Sequence, residues 1–143
     1  MMKKIMKFAL ILLFLVLFTV TPPASATRHI NTYIYEPCNY FAYQGDNIDV
    51  SIEVCYLNRL GEHRVHGRDD NSVYVKIYDA NNVEVAHYNV KHHHTWGDGI
   101  KINTSNLKPG EYRMTIYFIG VHKKHRIFNP CNVTEYLTVC KPK

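Results

Sequence analysis

Histidine is the residue whose spacing in this chain most suggests chemistry. His92-His93-His94 stands where an extended segment runs into a loop, and in an extended chain His92 and His94 share a face. A His-x-His pair on a strand can present two imidazoles to one Zn²⁺ or Cu²⁺ ion. His122 and His125 form a second close pair, and His63 and His66 a third. A closed metal site requires two pairs to converge, with a carboxylate such as Asp98 completing the set. The competing readings are a solvated polar surface that gains charge in mild acid, and association tuned by pH.

The four cysteines are Cys38, Cys55, Cys131 and Cys140. Their spacing contains no C-x-x-C, which weakens zinc-ribbon and thioredoxin-like readings. An even count in an exported chain points to two disulfides, with redox or metal use as the alternative. If residues 131–140 form one extended strand, its ends lie ~25–30 Å apart. Bridged Cα atoms sit within ~7 Å, so Cys131–Cys140 is excluded on that reading. The favoured pairing is Cys38–Cys131 with Cys55–Cys140, the second requiring the chain to bend at a strand end. Strict alternation puts Cys55 outward beside Glu53, so no buried inter-sheet bridge is expected.

Lys123-Lys124-His125-Arg126 reads as a basic hairpin tip. It is either a solvated loop or a contact for an anionic glycan or phosphate-bearing polymer. Trp96, in Thr95-Trp96-Gly97-Asp98-Gly99, is the only tryptophan; it can stack on a sugar or pack over the end of a core. Tyr74, Tyr78 and Tyr117 fall on outward positions, as an exposed aromatic patch or as mutual cross-strand cover. Asn103-Thr104-Ser105 and Asn132-Val133-Thr134 match the glycosylation sequon. No G-x-S-x-G, H-E-x-x-H, P-loop or G-x-G-x-x-G motif occurs, and the acidic residues fall singly on outward strand positions. The sequence therefore predicts no enzyme and requires no cofactor.

The elements that must position these residues alternate with a period of two. From Asn47 to Leu57, Ile48, Val50, Ile52, Val54 and Tyr56 face one way. Val73, Val75 and Ile77 repeat the pattern, as do Tyr112, Met114, Ile116 and Phe118. Asp79-Ala80-Asn81-Asn82 and Leu107-Lys108-Pro109-Gly110 supply turns. After the first turn Val83 and Val85 start inward, and a parity switch to Tyr88 and Val90 predicts a β-bulge near Ala86 or His87. Ile100 and Ile102 form a short strand; Val133, Leu137 and Val139 mark the last one, and Ile30 to Tyr35 the first. Asn58 to Ser72 reads as one long polar loop. No 3.6-residue apolar stripe of useful length is found. About seven strands, short turns and no helix predict an all-β, two-sheet antiparallel sandwich.

The chain has 143 residues, but the first 26 read as a signal peptide. Lys3, Lys4 and Lys7 precede an apolar run from Phe8 to Val20, and Ala24-Ser25-Ala26 supplies the cleavage signal. The run is too short to span a membrane, which takes ~20 apolar residues. Cleavage after Ala26 leaves residues 27–143 as one domain of ordinary size. The segment holds three lysines and no acidic residue, so the net charge of +5 falls to +2. That excludes a strongly basic nucleic-acid binder. With no anchor signal in Cys140-Lys141-Pro142-Lys143, the expectation is a secreted chain without a transmembrane span, possible attachment being through a partner.

Leu107-Lys108-Pro109-Gly110-Glu111-Tyr112 resembles the L-x-P-G-x-Y corner of prokaryotic immunoglobulin-like domains. These are the modules of bacterial and archaeal adhesin-like surface proteins. Phe128-Asn129-Pro130-Cys131-Asn132-Val133-Thr134 resembles their Y-x-P-S-N-x-T segment, with Cys131 where Ser is usual. Tyr43-Gln44-Gly45-Asp46 resembles their Y-G-D/N-x-V segment ahead of a long strand. The resemblance spans roughly residues 40–139 as a single copy. It implies an immunoglobulin-like sandwich and a non-enzymatic, surface-associated module that binds a protein or glycan through its loops. The contact residues expected are Trp96, Lys123, Lys124 and Arg126; the alternative is a secreted Zn- or Cu-binding protein using His92, His94, His122 and His125.

Overall fold

The computed structural model describes residues 26–35, 38–65, 72–93 and 97–143, with the backbone alone at 91–93 and 97–98. The expected signal peptide, up to Ser25, lies outside the described residues, as do His66, His94 and Trp96. Among the described residues, thirteen strands run in order: β1 (Arg28–Ile30), β2 (Tyr33–Tyr35), β3 (Tyr40–Tyr43), β4 (Asn47–Asn58), β5 (Gly61–Arg64), β6 (Val73–Tyr78), β7 (Glu84–Asn89), β8 (Lys91–His93), β9 (Gly97–Asn103), β10 (Gly110–Phe118), β11 (Val121–Lys123), β12 (Arg126–Phe128) and β13 (Cys131–Cys140). The described residues contain no helix. Among them, no helix is long and apolar enough to cross a membrane.

Three sheets result. One is ordered β3-β13-β10-β6-β7, the second β2-β4-β9-β8 with β5 also on β4, and the third is the small sheet β1-β12-β11. Pairing is antiparallel except for β3 on β13 and β1 on β12. The long strands follow the alternation read from the sequence. Val50, Ile52 and Val54 of β4, Val75 and Ile77 of β6, Met114 and Ile116 of β10 and Leu137 of β13 are all at most 1% exposed and form one cluster. Burying each such side chain stabilises by about 1.5–3 kcal/mol. The two large sheets therefore pack as a β-sandwich.

The short strands depart from the expectation of about seven. The expected first strand, Ile30 to Tyr35, breaks at Asn31-Thr32 into β1 and β2, which join different sheets. The predicted loop from Asn58 begins as a hairpin, with β5 paired back on β4 and Val65 buried. Val83, just before the edge strand β7, and Val85 within it, both read as inward, are exposed. The bulge is there, but earlier than expected: Ile77 opposes Ala86 and Tyr78 opposes Glu84, leaving Val85 as the extra residue.

The turn at Leu107–Gly110 is pinned from β10, where the Tyr112 hydroxyl donates to the Lys108 carbonyl at 2.7 Å. Thr104, fully buried, lies with its hydroxyl 2.9 Å from the Tyr43 and Asp46 carbonyls and accepts the Gly45 N–H at 3.1 Å. At the other end of the sandwich, the β11–β12 hairpin is tied to β1. Arg28 N–H donates to the His125 carbonyl at 2.8 Å, and Asn129 N–H to the Ile30 carbonyl at 2.8 Å. The Asn129 side chain donates to Asn31 and its carbonyl accepts the Thr32 hydroxyl.

Candidate functional site

The basic run lies on the β11–β12 hairpin. Lys123 and Arg126 are the closing pair and Lys124-His125 the two-residue turn. Opposed residues in a closing pair share a face, so a lysine and an arginine stand side by side. Lys124 has φ 46°, a region in which glycine and asparagine sit with least strain. Behind the hairpin, Phe128 of β12 meets Tyr56 of β4 edge to face at 5.3 Å, and His63 of β5 stacks on Tyr56 at 5.5 Å. The His63 ring is oriented by a 3.1 Å bond to Asn58.

These parts enclose an open crevice of about 480 Å³, lined by Tyr56, Arg64, Lys123, Lys124, His125, Arg126 and Phe128. Its floor is aromatic and its walls are cationic; none of the described residues lining it is acidic. Arg64, from the end of β5, is held at the rim by Glu53, which it meets at 2.6 Å. The same arginine also walls a smaller crevice of about 260 Å³ with Tyr35, Cys38, Tyr40, Ser51 and Glu53. Such an arrangement can hold an anion.

Lys123, Lys124 and Arg126 are thus brought together, and the structure adds three residues that sequence reasoning missed: Arg64, Tyr56 and Phe128. Arg64 lies some sixty positions from the hairpin, and only the tertiary arrangement joins them. Trp96 lies outside the described residues. Of the metal candidates, His122 projects from β11 into solvent and His125 lines the crevice. His92 is placed by its backbone alone, opposite Asp98, and His94 lies outside the described residues. Among the described residues, no three His, Cys, Asp or Glu side chains gather as a metal set. The sequon residues Asn103 and Asn132 are both exposed.

None of the four cysteines is joined in a disulfide, which corrects the two expected bridges. Register supplies the reason. Tyr40 pairs with Leu137, and the Glu135 carboxylate accepts the Cys38 N–H, so Cys38 stands about four residues, or ~13 Å, along β13 from Cys131. Cys140 pairs with Tyr43 at the end where β4 begins, whereas Cys55 lies eight residues further along β4, ~26 Å away. Neither span is compatible with a disulfide.

Cys55 does share its strand face with Glu53, yet it is 1% exposed. Tyr33 and Arg64 flank it across the sheet. Tyr33 reaches over β4 to Glu62 and Arg64 reaches back to Glu53, so two long side chains roof the small thiol.

Glu135 overturns the expectation that acidic residues face outward. It takes an inward position on β13 between Val133 and Leu137 and is 3% exposed, with Oε2 buried and without a hydrogen-bond partner. Burial raises its pKa to about 7, opposed by the Cys38 N–H. Its inward parity was readable in the sequence. Tyr74, Tyr78 and Tyr117 resolve towards mutual cover: Tyr74 stacks on Tyr117 at 4.9 Å and on His87 at 5.3 Å, while Arg113 lies 4.7 Å over the Tyr78 ring.

Comparison with protein-family models and with curated proteins finds no match to this chain.

Proposed function

We propose that the chain is an exported, non-enzymatic binding module with an immunoglobulin-like fold. It engages a protein or surface glycan through the connections at one end of its sandwich. The observation that carries this reading is the cationic crevice where the β4–β6 connection, through Arg64, meets the β10–β13 connection, through Lys123, Lys124 and Arg126. In immunoglobulin-like sandwiches these are the B–C and F–G connections, which share one end.

The fold assignment has two supports. Taken in chain order, β2-β4-β9-β8 and β3-β13-β10-β6-β7 follow the A-B-E-D and A′-G-F-C-C′ orders, with β3 parallel to β13. The Tyr112–Lys108 bond has the form of the tyrosine corner of such sandwiches. The test is capture of the exported chain on its native cell surface, with and without chelator. Loss of capture in Lys123→Ser with Arg126→Ser, and none with chelator, supports the reading. Capture that is abolished by chelator supports the metal-binding alternative and overturns this one.

A further inference from the structure

The crevice carries more information than its location. Resting on the binding-module reading, we propose that it takes a sugar unit bearing an oxyanion ester, a sulfate or phosphate on a glycan. Lys123, Lys124, Arg126 and Arg64 take the anion, and the exposed part of Tyr56 gives the ring an apolar contact.

Three features point to that chemistry. First, the hairpin is built at a local cost. Like charges face each other at the Lys123–Arg126 closing pair, and Lys124 occupies a turn position with φ 46° that asparagine or glycine would fill with less strain. The turn thus gathers cations at a position whose backbone does not favour a lysine. Second, the space of about 480 Å³ lies in the range of small-ligand sites, far more than one tetrahedral ion occupies. The half-buried Tyr56, held between His63 and Phe128, offers an apolar edge to a sugar ring. Third, Arg64 is held at the rim by Glu53 at 2.6 Å, so its guanidinium is already oriented, with part of its charge offset, and Lys123, Lys124 and Arg126 supply most of the attraction. A concave crevice of this size is also unlike the broad, flat area that a protein partner covers, about 800 Å² per side.

The test is titration of the exported chain with dextran sulfate, dextran phosphate and neutral dextran. Both esters are expected to bind and to weaken as salt is raised, the neutral polymer not to bind, and the tighter ester identifies the source of the anion. Lys124→Ala with Arg126→Ala is expected to weaken binding about tenfold or more. Lys108→Ala with Lys141→Ala removes the same charge at the opposite end of the sandwich and is expected to change it less than about twofold. Equal losses in the two variants, or tighter binding of an oligonucleotide of matched charge, overturn the proposal. Folding of each variant is checked by its thermal midpoint. Capture on the native surface that persists in excess dextran sulfate overturns the glycan assignment alone, whereas loss of all native capture in the unmodified chain overturns the binding-module reading with it.

Discussion

The Cys38 backbone N–H donates to the Glu135 carboxylate, whose other oxygen is buried without a partner. The donor favours the charged form, but burial outweighs it and lifts the pKa to about 7 from an ordinary 4.5. The folded chain therefore holds this proton more tightly than the unfolded chain does. The contribution of Glu135 to stability is greatest below pH 4.5, falls as pH rises to about 7, and is level above that. Urea unfolding between pH 5 and pH 8 is expected to show this decline. Glu135→Gln should flatten it and raise stability at pH 8 by about 2 kcal/mol. An unchanged slope in the variant rules Glu135 out as the cause.

The Tyr112–Lys108 bond holds the corner leading into β10, which lies between β13 and β6. Tyr112→Phe keeps the ring, itself 8% exposed, and removes only the donor. The expected loss is about 1 kcal/mol of stability, with the denaturant slope unchanged. A variant as stable as the parent shows that the corner is held by packing alone.

The long strands were legible in the sequence because each offers three or more inward apolar residues to set its parity. In β4, Val50, Ile52 and Val54 do this, and in β10, Tyr112, Met114, Ile116 and Phe118. Strands of three or four residues offer at most two such positions. β1 and β5 were therefore invisible as separate elements, whereas β11 and β12 showed only through the basic tip between them. Val83 and Val85 misled because β-branched residues also suit an edge strand, and the bulge at Val85 reset the parity. The basic run was legible as a run. That Arg64 and Tyr56 stand beside it follows from which connections share an end of the sandwich, which no local pattern encodes. Cys55 was assigned the correct face and the wrong exposure, because the roof over it is made by two residues on neighbouring strands.

Thiol chemistry follows from the register of β13 and β4. Peptide mapping of the protein is expected to find neither a Cys38–Cys131 nor a Cys55–Cys140 bridge. Brief alkylation of the folded protein should label Cys38 and Cys140, both exposed, well before Cys55, which is 1% exposed. Tyr33→Ala removes one of the two side chains roofing Cys55 and should speed its labelling by more than the small loss of global stability accounts for. Recovery of either bridge would contradict the strand pairing described above.

Gly120 tests whether the hairpin must be held in place for the crevice to work. It has φ 84°, and an added Cβ would stand 2.7 Å from the Phe128 carbonyl oxygen and 3.2 Å from the Pro130 nitrogen. Both are backbone atoms at the base of the hairpin, so Gly120→Ala must shift the hairpin as well as strain its own backbone. The expected loss is about 2 kcal/mol or more. Gly61, with φ 116°, meets nothing within 4 Å, so Gly61→Ala carries only the conformational cost, about 1–2 kcal/mol. No charge changes in either variant. Gly120→Ala, assayed well below its thermal midpoint, should nevertheless bind dextran sulfate more weakly than the parent, while Gly61→Ala binds as the parent does. Parental binding by Gly120→Ala would mean that the cations act as a loose cluster rather than as walls of a shaped site.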